Sequence, residues 1–122
     1  NISKAPLKAG DGQEEFRAAM QGVILPALNL FEPELIIISA GFDAHVRDPL
    51  GSLKLVEEDF AWATLEIMDI ADRHCDSKIV SVLEGGYDLQ GLAGGVGAHL
   101  QTLMHGEAAT RVPDENEDEA NG

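Results

Sequence analysis

The sequence has one cysteine and few positive charges. Its 122 residues include 8 Lys and Arg against 22 Asp and Glu, which gives a formal net charge of −14. One cysteine excludes an internal disulfide framework and a metal cluster made of cysteines, and we predict that Cys75 is a buried thiol in a reducing compartment. The shortage of Lys and Arg argues against nucleic acid as a direct partner, because phosphate binding requires a basic surface.

Long apolar runs are also missing. The longest largely apolar stretch, Leu35 to Ala40, is far shorter than the roughly 20 residues that a membrane-spanning helix requires. No basic segment followed by an apolar one opens the chain, so no secretion signal is recognised. We therefore predict a cytoplasmic, bacterial-like protein that does not contact a membrane.

Charge and hydrophobicity divide the chain into two parts. Hydrophobic residues make up 44% of the sequence, enough for a buried core, and we assign residues 1–107 to one folded part. Residues 108–122 are acidic and lack large apolar side chains after Val112, which predicts a disordered tail. The chain begins with Asn1, and we expect it to be a piece of a longer protein.

Apolar periodicity predicts alternating helices and strands. We predict a helix at 11–28, capped by Asp11 and kinked or ended by Pro26, and then a strand at 34–40 that is buried on both faces. A long loop over 42–55 should lead to a helix at 56–74, a strand at 78–83 and a helix from Asp88 that ends at Gly106. This order predicts an α/β fold with a parallel sheet and flanking helices.

In open parallel sheets, ligands bind beyond the carboxyl ends of the strands. Asp43 follows the first strand, and its carboxylate could bind a metal, act as a base or make a hydrogen bond within a turn. By spacing alone, His45 and Asp48 could add further metal ligands, although a solvated histidine is the commoner outcome.

Tyr87 follows the second strand and two glycines. A phenol at this place could donate a hydrogen bond to an oxyanion, or it could simply cover the sheet edge. The glycines of Gly94–Gly97 do not follow a strand, so they indicate helix packing and not a dinucleotide-binding loop. Trp62 is interpreted as a packing residue.

Three segments together resemble the histone deacetylase superfamily, in particular its class II and bacterial amidohydrolase branch. They are Ser39-Ala-Gly-Phe-Asp-Ala-His45, Asp48-Pro-Leu-Gly51 and Leu83-Glu-Gly-Gly-Tyr-Asp88. The resemblance extends from about Pro6 to His105, and the order and spacing of the segments agree with the family as well.

The resemblance implies part of an arginase-like α/β fold and zinc-dependent hydrolysis of an N-acyl amide, most typically that of acetyl-lysine in a protein or peptide. Asp43 matches a zinc-binding aspartate, and Tyr87 matches the tyrosine that polarises the acyl carbonyl. Leu50, Gly85 and Gly86 match positions that line the substrate tunnel. The family also suggests a structural monovalent cation such as K⁺.

The resemblance places the other zinc ligands and the histidine base before residue 1, so the remaining N-terminal part of the domain is required and this chain alone should be inactive. His45 matches no zinc ligand, and Arg47 replaces a residue that is small in many relatives. Two alternatives stay open: an acetylpolyamine or other small amide as the substrate, and a non-catalytic α/β binding module.

Overall fold

The computed structural model describes residues 1–106, which form a parallel two-stranded sheet with helices packed on one face. The elements in chain order are α1 (Gln13–Ala19), a π-helical turn (Met20–Ile24), α2 (Leu25–Phe31), β1 (Ile36–Ala40), α3 (Glu57–His74), β2 (Ile79–Leu83) and α4 (Leu89–His105). The predicted acidic tail at 108–122 lies outside the described residues.

The first helical segment begins later and ends later than predicted. Gly12 precedes the first turn, and its backbone N–H donates to the Glu15 carboxylate, so Asp11 is not the cap. The helix does not end at Pro26, because a π-helical turn lies directly before α2, and helical backbone continues through Pro26. It ends at Phe31, and the capping residue Glu32 has a left-handed φ of 53°.

The two strands are parallel, with Ile36 opposite Ile79 and Ala40 opposite Leu83. Parallel neighbours require a long crossover connection, and here the loop after β1 and helix α3 provide it. The prediction of an α/β unit with a parallel sheet is therefore confirmed. The carboxyl ends of both strands lie at the same edge of the sheet.

Only one face of the sheet is covered within residues 1–106. Ile36 is 7% exposed, whereas the next residue, Ile37, points to the opposite face and is 65% exposed. Val80, which pairs with Ile37, is exposed as well. The prediction that β1 is buried on both faces is wrong for this part of the chain, because the described helices pack against one side only.

The hydrophobic core lies between the covered face and the helices. Its buried members are Leu25, Ile36, Ile70, Ala71 and Cys75, and the partly buried side chains packed on them are Met20, Leu28, Ile38, Trp62, Ile67 and Ile79. The predictions of a buried Cys75 and of a packing role for Trp62 are confirmed. This core packs β1 and the start of β2 against α3.

Helices α3 and α4 both begin directly after loops at the carboxyl edge of the sheet. The backbone N–H of Val56 donates to the Asp59 carboxylate at the start of α3. At the start of α4, the Asp88 carboxylate accepts from the backbone N–H of Gly91, and Gly106 with a φ of 70° ends the helix as predicted. A carboxylate that accepts a backbone N–H therefore holds each loop-to-helix junction, Asp59 within the first turn of α3 and Asp88 at the cap of α4.

Within residues 1–106, no helix has the length and apolar character needed to cross a membrane.

Candidate active site

The ends of the two strands meet around Asp43. The backbone N–H of Phe42 donates to the carbonyl of Gly85 over 2.7 Å, which joins the loop after β1 to the loop after β2. A Cβ on Gly85 would lie 2.9 Å from Oδ2 of Asp43, and one on Gly41 would lie 3.2 Å from Oδ1. Glycine at both positions therefore leaves room for this half-buried carboxylate.

The Asp43 carboxylate is available to a ligand. Among residues 1–106 it takes part in no hydrogen bond or ion pair, so the alternative role of a turn-forming aspartate does not apply to it. A free, half-buried carboxylate has the chemistry of a metal ligand. The described residues contain no group of three or more His, Cys, Asp or Glu side chains that could hold a metal, so Asp43 would need ligands from outside them to form a metal site.

Asp48 has a different environment, although it lies five positions further along the same loop. It is 6% exposed, and its Oδ1 accepts from the backbone N–H groups of Leu50 (2.9 Å) and Gly51 (3.0 Å). Its Oδ2 accepts from the backbone N–H of Tyr87 over 2.8 Å. With both oxygens bonded to the protein, Asp48 is not an additional metal ligand, which corrects the possibility raised by its spacing.

The pKa of Asp48 reflects these contacts. Burial raises the pKa of the carboxyl, but hydrogen bonds from the backbone at Tyr87, Leu50 and Gly51 outweigh burial and lower it below its ordinary value. Asp48 is consequently ionised at neutral pH, with its charge stabilised by peptide N–H groups.

Tyr87 and Leu50 are both exposed in the loops at the carboxyl ends of the strands. Tyr87 is 59% exposed, and its backbone is tied to Asp48. Leu50 is also exposed, directly after Pro49. The structure thus brings both predicted residues to the loops beyond the strand ends, as the sequence indicated, although their catalytic and substrate-binding roles stay predictions.

Gly86 is held in a conformation that other residues rarely adopt. Its φ is 145°, and a Cβ there would lie 2.7 Å from Cδ1 of Leu92 and 3.4 Å from Cβ of Phe42. Glycine at this position lets the chain turn sharply between β2 and Tyr87. Gly85 and Gly86 therefore shape the loop beside Asp43, whether or not they also touch a substrate.

His45 is buried and belongs to the scaffold of the loop. It is 2% exposed and its ring stacks on Phe60, so the expectation of a solvated histidine is wrong. Its Nδ1 accepts from the backbone N–H of Arg47 (3.1 Å), so its Nε2–H donates to Oε1 of Glu57 (2.9 Å). Both ring nitrogens are occupied, which agrees with leaving His45 out of the metal ligands.

Glu57, at the first turn of α3, was not recognised in the sequence as a partner of the loop. Burial raises its pKa, but hydrogen bonds from its own backbone and from His45 outweigh burial and lower the pKa. A Cβ on Gly94 would overlap Oε1 of Glu57, and one on Gly91 would lie 3.0 Å from Nδ1 of His45. The predicted packing role is confirmed for Gly94, whereas a Cβ on Gly97 would meet no atom within 4 Å.

Arg47 lies on the exposed side of the same loop. Its guanidinium donates to the side-chain oxygen of Gln90 over 2.6 Å, which links the loop after β1 to the first turn of α4. Gln90 follows Tyr87 by three residues, so Arg47 adds a positive charge near the surface where Tyr87 is exposed.

The fold and the loop geometry define a class of protein. The solved HD domain of HDA15 matches with a TM-score of 0.74 and 35% sequence identity, covering 82% of this chain and 27% of that one. The described residues therefore form part of the arginase-like fold of deacetylase catalytic domains, with Asp43 and Tyr87 at the end of the sheet where such folds place their ligands.

The sequence identifies the family. The histone deacetylase domain matches residues 1–103. Type-2 histone deacetylase 1 of Dictyostelium discoideum is 43% identical over 103 residues, 84% of this chain and 7% of that protein. Histone deacetylase-like amidohydrolase of Pseudomonas aeruginosa is 43% identical over 82 residues, 67% of this chain and 22% of that protein. The chain belongs to the histone deacetylase family, and it spans less than a quarter of these relatives.

Proposed function

We propose that this chain contributes one zinc ligand and one catalytic residue to a zinc-dependent deacetylase. The observation that carries the proposal is the unbonded carboxylate of Asp43, which lies where two parallel strands end and a segment bearing Tyr87 begins. Family membership supports hydrolysis as the class of reaction. A loop that merely connected elements would not need a half-buried, unpaired carboxylate.

The proposed chemistry divides the work between two side chains. Asp43 would hold Zn²⁺, which would supply Lewis acidity and a water whose pKa is lowered to about 7. The Tyr87 hydroxyl would donate a hydrogen bond to the acyl oxygen as negative charge develops there. A neutral phenol would stabilise this charge without repelling a nearby cation.

Further groups are needed for turnover. The described residues supply no complete metal-ligand set, and none of them is assigned as the base. We propose that the rest of the catalytic domain supplies the other ligands and the base, and that a structural monovalent cation such as K⁺ binds there as well. A cytoplasmic location is part of the same proposal.

Acetyl-lysine in a protein or peptide is the proposed substrate. Leu50 offers an exposed apolar side chain beside the Tyr87 segment, which suits the aliphatic part of a lysine. Arg47 on the same loop adds a positive charge, which disfavours a polycation. Turnover of acetyl-lysine peptides and acetylpolyamines by the full-length protein separates the two substrates, and faster turnover of the polyamine would contradict this assignment.

Replacing Tyr87 with Phe in the full-length protein tests the catalytic role. Loss of one donor to the developing oxyanion should lower kcat by about 10²- to 10³-fold. The zinc content should remain at the wild-type value, because the phenol does not bind the metal. Steady-state kinetics and metal analysis measure both quantities.

Asp43→Ala is the complementary variant and should lose the zinc as well as the activity. An unchanged kcat in Tyr87→Phe would remove Tyr87 from its role. A full-length wild-type protein that contains no metal would favour the non-catalytic binding module instead.

A further inference from the structure

We propose that Asp48 is a positioning residue of the deacetylase site, which holds the Tyr87 backbone from which the phenol projects. This inference rests on the function proposed above. The buried Asp48 carboxylate bonds to the loop after β1 through Leu50 and Gly51, and to the loop after β2 through Tyr87, which is 39 residues away in the chain. One side chain therefore connects the two loops that carry the proposed site.

The hydrogen bond to Asp48 joins the backbone of Tyr87 to the loop after β1. The ring of Tyr87 is exposed, so packing does not fix the side chain. Gly86, the residue before Tyr87, has a backbone conformation that residues other than glycine rarely adopt. Asp88, the residue after Tyr87, is the cap of α4. Among residues 1–106, the hydrogen bond that ties Tyr87 to a distant part of the chain is the one from its backbone N–H to Asp48.

The geometry also explains why a carboxylate is suited to this position. Three backbone N–H groups converge on its two oxygens, and an ionised carboxylate accepts at both. Pro49 disfavours helical backbone at Asp48, which reduces the number of conformations open to this residue. An asparagine would turn an NH₂ group towards one set of donors and leave that set unpaired.

Two substitutions of Asp48 separate its hydrogen bonds to Leu50 and Gly51 from its hydrogen bond to Tyr87. In Asp48→Ser, a hydroxyl can still accept from the backbone two residues on and keep the turn at Leu50, but it is too short to reach Tyr87 as well. Asp48→Asn keeps the size of the side chain and weakens the contacts on one side. Asp69→Asn is the control, since Asp69 is an exposed acid paired with Arg73 on α3, away from the site.

Kinetics of the zinc-loaded full-length protein provide the first measurement. Asp48→Ser should lower kcat about 10- to 100-fold, because a small displacement of a catalytic group is costly, while KM stays near the wild-type value. Asp69→Asn should match the wild type. Full activity in Asp48→Ser would overturn the proposal, since Asp48 would then serve only the turn.

A double-mutant cycle that combines Asp48→Ser with Tyr87→Phe provides the second measurement. If Asp48 acts through the phenol, Asp48→Ser should cause little further loss of kcat once the hydroxyl is gone. Multiplicative losses in the double variant would show that Asp48 acts independently of Tyr87 and would overturn the proposal.

Hydrogen exchange at the Tyr87 amide provides a measurement that does not depend on activity. Loss of the hydrogen bond in Asp48→Ser should speed exchange at this amide by about 10-fold or more, while amides in the middle of α3 keep their wild-type protection. Unchanged exchange at Tyr87 would overturn the proposal. If the Ser variant does not fold, Asp48→Asn takes its place in all three measurements.

A wild-type protein that hydrolyses no acyl amide would instead refute the proposed function. The exchange measurement would then still decide whether Asp48 holds Tyr87.

Discussion

At the scale of single residues, two aspartates in one loop show how environment determines role. Asp43 and Asp48 are both acids after β1, and spacing alone makes either a possible metal ligand. Asp43 has its carboxylate free between glycines, whereas Asp48 is buried and bonded to three backbone N–H groups. The number of backbone N–H donors around each carboxylate therefore determines whether it is free for a ligand, as in Asp43, or connects two loops, as in Asp48.

His99 is a second residue whose role depends on its surroundings. It lies in α4 beneath the sheet, with Nδ1 2.8 Å from Oγ1 of Thr64 and Nε2 2.8 Å from Oγ of Ser81. Because the Thr64 hydroxyl already donates to the carbonyl of Phe60, it accepts from Nδ1–H, and Nε2 accepts from Ser81. The neutral imidazole is thus fully bonded between α3 and β2.

Burial lowers the pKa of His99, which predicts a loss of stability in mild acid. The unfolded chain binds a proton as the pH falls through about 6.5, but the folded protein does not until lower pH, so the free energy of unfolding should fall by up to about 1.4 kcal/mol per pH unit. Denaturant titrations of the full-length protein between pH 7.5 and 5.5 measure this slope.

Substitution of His99 by Gln should flatten that slope, whereas substitution of the exposed His105 should not. Equal slopes in wild type and His99→Gln would mean that other groups cause the pH dependence.

At the scale of elements, helix α4 packs through glycines. A Cβ on Gly95 would lie 2.7 Å from Cδ1 of the buried Phe42, the residue before Asp43. Gly91 and Gly94 leave space for the side chains of the loop and of α3. The close packing of α4 against Phe42 therefore supports the backbone next to Asp43.

The same substitution, Gly to Ala, should have opposite effects on stability at two positions of α4. A Cβ on Gly97 would meet no atom within 4 Å, so Gly97→Ala should raise the free energy of unfolding by about 0.5–1 kcal/mol through helix propensity. Gly95→Ala has the same propensity gain, but it must displace the Phe42 ring, and overpacking of this kind costs about 1–3 kcal/mol. Thermal or urea unfolding of the full-length protein measures both.

Gly97→Ala is the matched control for Gly95→Ala, since both lie in the same helix. Equal stabilisation by the two substitutions would show that α4 does not pack tightly against Phe42.

At the scale of the whole molecule, the described residues leave one face of the sheet uncovered and the candidate site incomplete. One sheet face carries exposed apolar side chains at Leu35, Ile37, Val80 and Val82. The carboxyl edge has one free carboxylate, that of Asp43, and residues 1–106 contain no complete set of metal ligands. Both observations agree with a chain that matches a quarter or less of its relatives' length.

The 122-residue chain by itself is expected to be inactive. One carboxylate cannot hold zinc at the strength of a complete site, so metal analysis should find well below one zinc per chain and turnover of an acetyl-lysine peptide should be undetectable. The exposed sheet face should also bind an apolar dye. Stoichiometric zinc or measurable turnover by the pure chain would contradict the proposed division of the site.

The local features of this protein are predictable from its amino acids alone. Four consecutive aliphatic residues before Gly41 predicted β1, and the apolar period of 89–105 predicted α4. Gly85 and Gly86 marked the end of β2, and Asp43 and Tyr87 were recognised as site candidates because they follow strand ends. These features depend on neighbours in the chain, and periodicity and turn chemistry report them directly.

Contacts between side chains that are distant in the sequence are not predictable in this way. The bond from Asp48 to Tyr87, the pair of His45 with Glu57 and the open face at Ile37 depend on how distant elements pack. No local pattern records them, because a hydrogen bond between residues far apart in sequence forms only after the helices and the sheet have set its geometry. The roles of two polar residues in one loop therefore differ for reasons that lie elsewhere in the chain.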